Sequence, residues 1–262
     1  MLEEALGTPA QVGGCRANLQ GGEPDPMKEE MNRLVRFLAA LLLCVCGICW
    51  LALGQDSMTP ETRRVLARMD QAGQQLTDLT ADIKQTKVTL VVNDTSTDTG
   101  KLFLKRTKSG NRTKLEYEKP LEKTLLIDKG KVLIYEPKIN RLQEVDLGKN
   151  RAQAEFLLTG VGQSSAHLTK THDVRFLKEE TVNGTRTSLL ELKPKGSSMF
   201  SRIWLWIDPA LGLPIQTRLT ESSGDYLTFQ LENIKINPKI PDKIFKLSLP
   251  SDVQRMKPMS SR

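Results

Sequence analysis

From about residue 81 onward the chain keeps returning to one pattern: short alternating apolar and polar runs, each closed by a tight-turn dipeptide. Period two places alternate side chains on opposite faces, which is the signature of strands. Such runs occupy 101–106, 114–118, 123–128, 131–136, 142–145, 174–179, 187–192, 199–207, 213–221 and 226–236. Lys129-Gly130 and Asn183-Gly184 sit between neighbouring runs and mark hairpins. Residues 81–92 read as strand-like, 93–99 as a polar turn, and 245–249 as a closing strand. That makes about ten strands joined mostly by short turns, which forces antiparallel pairing.

Helical periodicity is confined to two places. In 59–80, Val65, Leu66, Met69, Leu76 and Leu79 form one apolar stripe, while Arg63, Arg64, Arg68, Asp70 and Gln74 take the other side. Thr59 is the expected N-cap and Pro60 suits the first helical position. Residues 151–158 predict a short helix, ended by Gly160 and Gly162. With no flexible linker and no repeat, this body reads as one mainly β (α+β) domain. Its expected form is a large antiparallel sheet, curled or nearly closed, with helices packed on it, and such a sheet can enclose a ligand cavity.

The N-terminal part differs. Lys28, Arg33 and Arg36 precede an uncharged apolar run, 37–53, and Ala52-Leu53-Gly54 is a small-x-small cleavage site. This predicts a secretory signal ending at residue 54, so that 1–54 is an extension plus signal and 55–262 the exported domain. An uncleaved anchor is the competing reading, since the run spans roughly 25 Å as a helix. Residues 1–26 sit oddly before a signal, so translation is expected to begin at Met27 or Met31. Cleavage removes four basic and six acidic residues, leaving a part more basic than the +7 of the whole chain. Nucleic acid is not an expected partner, because the cations are unclustered and stacking aromatics are few.

No catalytic constellation emerges. All four cysteines, Cys15, Cys44, Cys46 and Cys49, lie in the first fifth, which excludes a thiol enzyme or cysteine-ligated metal in the main body. His167 and His172 lack further ligands to complete a metal set and read as polar loop histidines. Gly162-Gln-Ser164 has neither the flanking strand nor the base of a nucleophile elbow. Glu179 and Glu180 point to opposite faces and do not pair for acid–base work. No cofactor is expected.

Two features stand out instead. Alternation puts Arg106 on the same face as Leu102 and Leu104, at a strand end. It is either a terminus reaching water or a guanidinium at the mouth of an apolar cavity, bonding loop or helix carbonyls. Residues 125–127, 132–134 and 203–207 are apolar on both faces, as strands covered on both sides are.

The order and spacing of several segments resemble one family across nearly all of 59–255. These are Gly100-Lys-Leu-Phe-Leu-Lys-Arg106, Leu115-Glu-Tyr-Glu-Lys-Pro120, the 124–137 hairpin, Trp206-Ile-Asp-Pro209 with Pro214, Phe229-Gln-Leu-Glu-Asn-Ile234 and Phe245-Lys-Leu-Ser-Leu-Pro250. The chain looks like the LolA family of periplasmic outer-membrane lipoprotein carriers. The resemblance implies an unclosed antiparallel β half-barrel covered by helices. It implies a monomer whose cavity takes lipoprotein acyl chains from an inner-membrane transporter to an outer-membrane receptor. It places Arg106 at the family's lid-closing arginine, with Leu102, Leu104, Tyr117, Leu126, Ile134, Trp204, Trp206 and Phe229 as the candidate cavity set. A membrane-tethered lipid-binding or envelope-sensing module of the same fold, also without catalysis, is the alternative.

Overall fold

The computed structural model describes residues 58–108, 110–146 and 161–256. The expected signal and its cysteines, and the short helix expected over 151–158, lie outside the described residues.

Among the described residues, twelve strands form one sheet in the order β12-β6-β5-β4-β3-β2-β1-β11-β10-β9-β8-β7. They are β1 (Asp78–Thr89), β2 (Asp94–Thr107), β3 (Gly110–Lys119), β4 (Lys123–Asp128), β5 (Lys131–Glu136) and β6 (Arg141–Asp146). After the undescribed stretch come β7 (His172–Val182), β8 (Thr185–Pro194), β9 (Phe200–Asp208), β10 (Leu213–Glu221), β11 (Tyr226–Ile236) and β12 (Gln254–Met256). The order does not return on itself, so the sheet is unclosed, with β12 and β7 at its edges. Every neighbouring pair is antiparallel except β12 with β6. The hairpin turns at Lys129-Gly130 and Asn183-Gly184 fall where the dipeptides place them, each pair with positive φ.

Two expectations give way. Residues 93–99 are not a turn: the chain reverses over Leu90–Val92 with Asn93 left-handed, and Asp94 onward is already β2. The polar residues there lie on an exposed hairpin extension, where alternation has nothing to bury. Residues 245–249 are not a sheet strand either: Asp242–Phe245 is a turn of 3₁₀ helix lying against the sheet.

Helix α1 (Pro60–Gln75) begins at the expected cap, with Thr59 Oγ1 accepting from Thr62 N at 3.2 Å. It stops five residues earlier than periodicity suggests, and Leu79 sits instead on β1. Leu79 is fully buried all the same, because position i of a strand can meet the same core as a helical stripe. Val65, Leu66 and Met69 join one buried cluster with Leu79, Leu104, Leu190, Leu205 and Leu219. Each such side chain contributes about 1.5–3 kcal/mol by leaving water. Thr62 Oγ1 accepts from Phe176 N at 2.9 Å, tying α1 to β7. A second short helix, α2 (Ser165–Thr171), is tied to α1 by Ser165 N donating to Asp70 Oδ1 at 2.7 Å.

Gly100 marks a bulge between β2 and β3, where a Cβ would lie 2.0 Å from the Glu116 carbonyl oxygen. No side chain fits there without moving backbone. Gly100→Ala is therefore expected to cost about 3 kcal/mol, the upper end of overpacking, seen as a lower urea midpoint at unchanged slope.

Candidate functional site

The face that carries α1 is set by register. Ala81 lies opposite Leu102, Leu102 opposite Leu115, Leu115 opposite Leu125, and Leu125 opposite Ile134. On the other side of β1, Ile83 faces Leu231 and Gln85 faces Phe229. A cavity of about 20 Å³ lies on this face, lined by Ile83, Leu102, Leu115, Phe229, Leu231 and Val161 among others. That is room for about one water, against roughly 300–1,000 Å³ for an occupied ligand pocket. A wider cleft of about 500 Å³ runs along α1 over β7–β9, between Arg64, Val65, Arg68, Glu179, Ser188 and Ile207. Arg68 fastens one end of that cleft, donating from Nε to Pro209 O at 2.9 Å and from Nη2 to Ala210 O at 2.8 Å.

Arg106 stands at the end of β2 beside the C-terminal end of α1. Its Nη1 donates to the Gly73 carbonyl and, at 3.5 Å, to the Leu76 carbonyl. Its backbone N donates to Thr77 O at 2.8 Å. The last carbonyls of a helix have no partner within the helix and carry its negative partial charge, so a guanidinium is well matched to them. At the far end of β1, Tyr117 donates to Gln85 Oε1 at 2.5 Å, and Gln85 Nε2 reaches Asp98 at 3.5 Å. Burial first, and Asp98 second, push the Tyr117 hydroxyl well above its ordinary range, so it stays a proton donor.

Of the candidate set, Leu102, Leu104, Tyr117 and Phe229 share the main buried cluster, and Ile134 faces the same way by register. Three candidates do not join them. Trp204 and Trp206 alternate with Ile203, Leu205 and Ile207, and only the latter three enter that cluster. The two indoles lie on the opposite face, 6.0 Å apart, around Arg218, whose guanidinium is 5.9 and 5.6 Å from their rings and 4.7 Å from Tyr226. The Trp206 indole donates to Glu180, whose carboxyl is held below its usual range by Lys178 and then by that indole. Leu126 also lies on the opposite face, buried with Ile240 and Phe245. Strands apolar on both faces carry no sign of which face is which.

Sequence reasoning missed the C-terminal segment's role. Lys105 Nζ donates to Ile240 O and Asp242 Oδ1, both at 2.8 Å, and Arg112 lies 5.0 Å over the Phe245 ring. The Lys105-Arg106 pair thus divides, one cation to each face. The histidines are not in loops. His167 is on α2, and His172 opens β7, its Nδ1 2.8 Å from Thr171 Oγ1.

Burial, the largest cause, lowers the pKa of His172 from 6.5, so folding favours its neutral form. The unfolded chain then binds more protons, and stability present above about pH 6.5 is lost as pH falls below it. The ring is only partly buried, so a modest loss is expected as pH falls below about 6.5. Urea titrations of His172→Gln should show a flatter profile there.

Known proteins resemble the chain as follows. An outer-membrane lipoprotein carrier protein of Helicobacter hepaticus is 28% identical over 147 residues, covering 56% of this chain and 67% of that protein. The crystal structure of MucB aligns with TM-score 0.49 at 16% identity, covering 72% of this chain and 64%, less than two thirds, of MucB. A LolA superfamily protein of Nitrosomonas europaea aligns with TM-score 0.37 at 12% identity, over 71% and 97% of the two chains. The family model for the outer membrane lipoprotein carrier protein LolA matches residues 74–248, from the end of α1 through the Asp242–Phe245 turn. By that match, which spans more than half of its residues, the chain belongs to the LolA family.

Proposed function

We propose that this protein is a periplasmic carrier. It binds lipoprotein acyl chains on the α1 side of a β half-barrel, with α1 as a lid, and shuttles them from the inner to the outer membrane. It does so without chemistry of its own. Residues 55–262 form the exported carrier domain behind a signal. An inner-membrane transporter loads it and an outer-membrane receptor unloads it.

The observation that carries this reading is Arg106 bonded to the Gly73 and Leu76 carbonyls, on a sheet face whose apolar cavity is only about 20 Å³. An acyl chain cannot enter that space as it stands. Val65, Leu66 and Met69 of α1 fill the apolar face where such a chain would lie, so lid and cargo exclude each other. Cargo entry then breaks the Arg106 bonds and lifts α1.

The exclusion also solves a problem of affinity. About fifteen buried methylenes would contribute ~12 kcal/mol, which corresponds to nanomolar binding or tighter. A lid that closes well when empty subtracts its closing energy from that figure and makes delivery possible.

Native mass spectrometry of the protein purified from a bacterial envelope, followed by lipid identification, tests the reading. A bound lipoprotein or acyl lipid is the expected result. A clean apo mass that persists when lipoprotein is offered would overturn it.

A further inference from the structure

The sheet alternates direction, so the turns leaving β1, β3, β5, β8 and β10 lie at one end, and those leaving β2, β4, β7 and β9 at the other. Large exposed hydrophobics divide unevenly between the two ends. Of the nine among the described residues, six lie on turns of the first end: Leu90, Val91, Val92, Leu121, Ile139 and Met199. The turns of the other end hold none of the nine, and Leu177, Ile236 and Met256 lie on strands.

The β1–β2 tip is the most prominent, with Val91 86% and Val92 68% exposed. It is also rigidly presented. Asn93 is left-handed and its N–H bonds Leu90 O at 3.1 Å, while Leu90 N donates to Asp225 Oδ1 at 2.8 Å. The aliphatics are thus held out in water by a built turn.

We propose that this rim docks on a phospholipid bilayer, with Val91 and Val92 entering the acyl region. The inference rests on the carrier reading only for its purpose, since cargo leaves and enters bilayers. Three observations select lipid over a protein partner. The apolar turns are spread around the rim from β6 to β8, across ten neighbouring strands, which suits a plane better than a pocket. They project as aliphatics, without the Trp, Tyr or Arg anchors that dominate protein interfaces. Behind the tip, on the outer face, Val88 is paired with Tyr226, and Arg218 and Trp204 follow, all of them part-exposed. Amphipathic rings and a cation one or two pairs back are what the headgroup layer accepts. Charge on the turns themselves balances, Lys138 and Lys195 against Glu122 and Asp225, so contact does not require anionic lipid.

The test uses the full chain with phosphatidylcholine vesicles whose acyl chains carry bromine, which quenches tryptophan at acyl depth. Val91→Trp and Leu177→Trp are compared with the parent; both positions are exposed, so folding tolerates the change. The expected result is an added, blue-shifted emission from Val91→Trp that bromine quenches at least twofold, and an added emission from Leu177→Trp that it does not. Equal quenching at the two positions, or none at residue 91, overturns the proposal. So does shielding of residue 91 that appears only as protein concentration rises, which would mean contact between copies. Failure here leaves the acyl-binding result standing, because that measurement uses no vesicle.

Discussion

Replacing Arg106 by leucine should leave the protein able to load acyl chains and poor at giving them up. Nη1 donates to Gly73 O and, more weakly by distance, to Leu76 O at 3.5 Å. Hydrogen bonds with a charged partner contribute about 1.5–3 kcal/mol, so the closed lid loses about 2 kcal/mol in the variant. The two carbonyls are also left without that donor in the closed state only, which biases the lid further open. Cargo affinity is multiplied by the fraction of protein that is competent to bind. A loss of about 2 kcal/mol therefore tightens binding roughly thirtyfold and slows release in proportion. A fluorescent acyl probe reads the first change by its Kd, and hand-over of a lipoprotein to acceptor membranes reads the second. Arg106→Lys should fall between, since an ammonium is a point donor without the planar fork. Parent-like Kd and parent-like hand-over in Arg106→Leu would make Arg106 an ordinary helix-end contact.

How much of this was legible in the sequence depends on whether a residue's surroundings differ on its two sides. Arg106 was readable because alternation puts it with Leu102 and Leu104, and a cation among leucines needs acceptors. The tight hairpins were readable because Asn-Gly and Lys-Gly supply the positive φ that the turn demands. Trp204 and Trp206 were not, although their spacing of two shows that they share a face. Both faces of β9 are apolar, and only the tertiary packing decides that Ile203, Leu205 and Ile207 face α1. Leu126 fails for the same reason. The 93–99 stretch fails for a different one: a hairpin arm with both faces in water leaves no apolar alternation to find. The exposed aliphatics at 90–92 continue the β1 pattern in sequence, and only the register shows that β1 has already ended.

The second large effect is expected far from α1, at Phe245. This ring is 2% exposed and sits on the outer face with Leu126 and Ile240, flanked by Phe103, Leu133, Ile244 and Leu247. Removing a buried phenylalanine side chain costs about 3–5 kcal/mol, and the Arg112 guanidinium over the ring adds about 0.5–1 kcal/mol. The cluster is small, however, and the segment has another way to respond. It can peel from β2–β5, giving up the Lys105 bonds to Ile240 O and Asp242 and the short β12–β6 pairing, while the α1 face keeps its core. Peeling caps the global loss in Phe245→Ala at about 3 kcal/mol and moves the rest into a local opening. Amide exchange separates the two: protection at 254–256 and along β6 should fall well before protection at β1 and β10. Acid should loosen the parent at the same place. The Lys105 hydrogen bond holds the Asp242 carboxyl below its ordinary 3.8, so what that bond contributes is present above that pH and lost as pH falls beneath it. A loss under about 1 kcal/mol with unchanged protection at 254–256 would show that the segment is held by its backbone pairing alone, and that Phe245 fills space without clamping it.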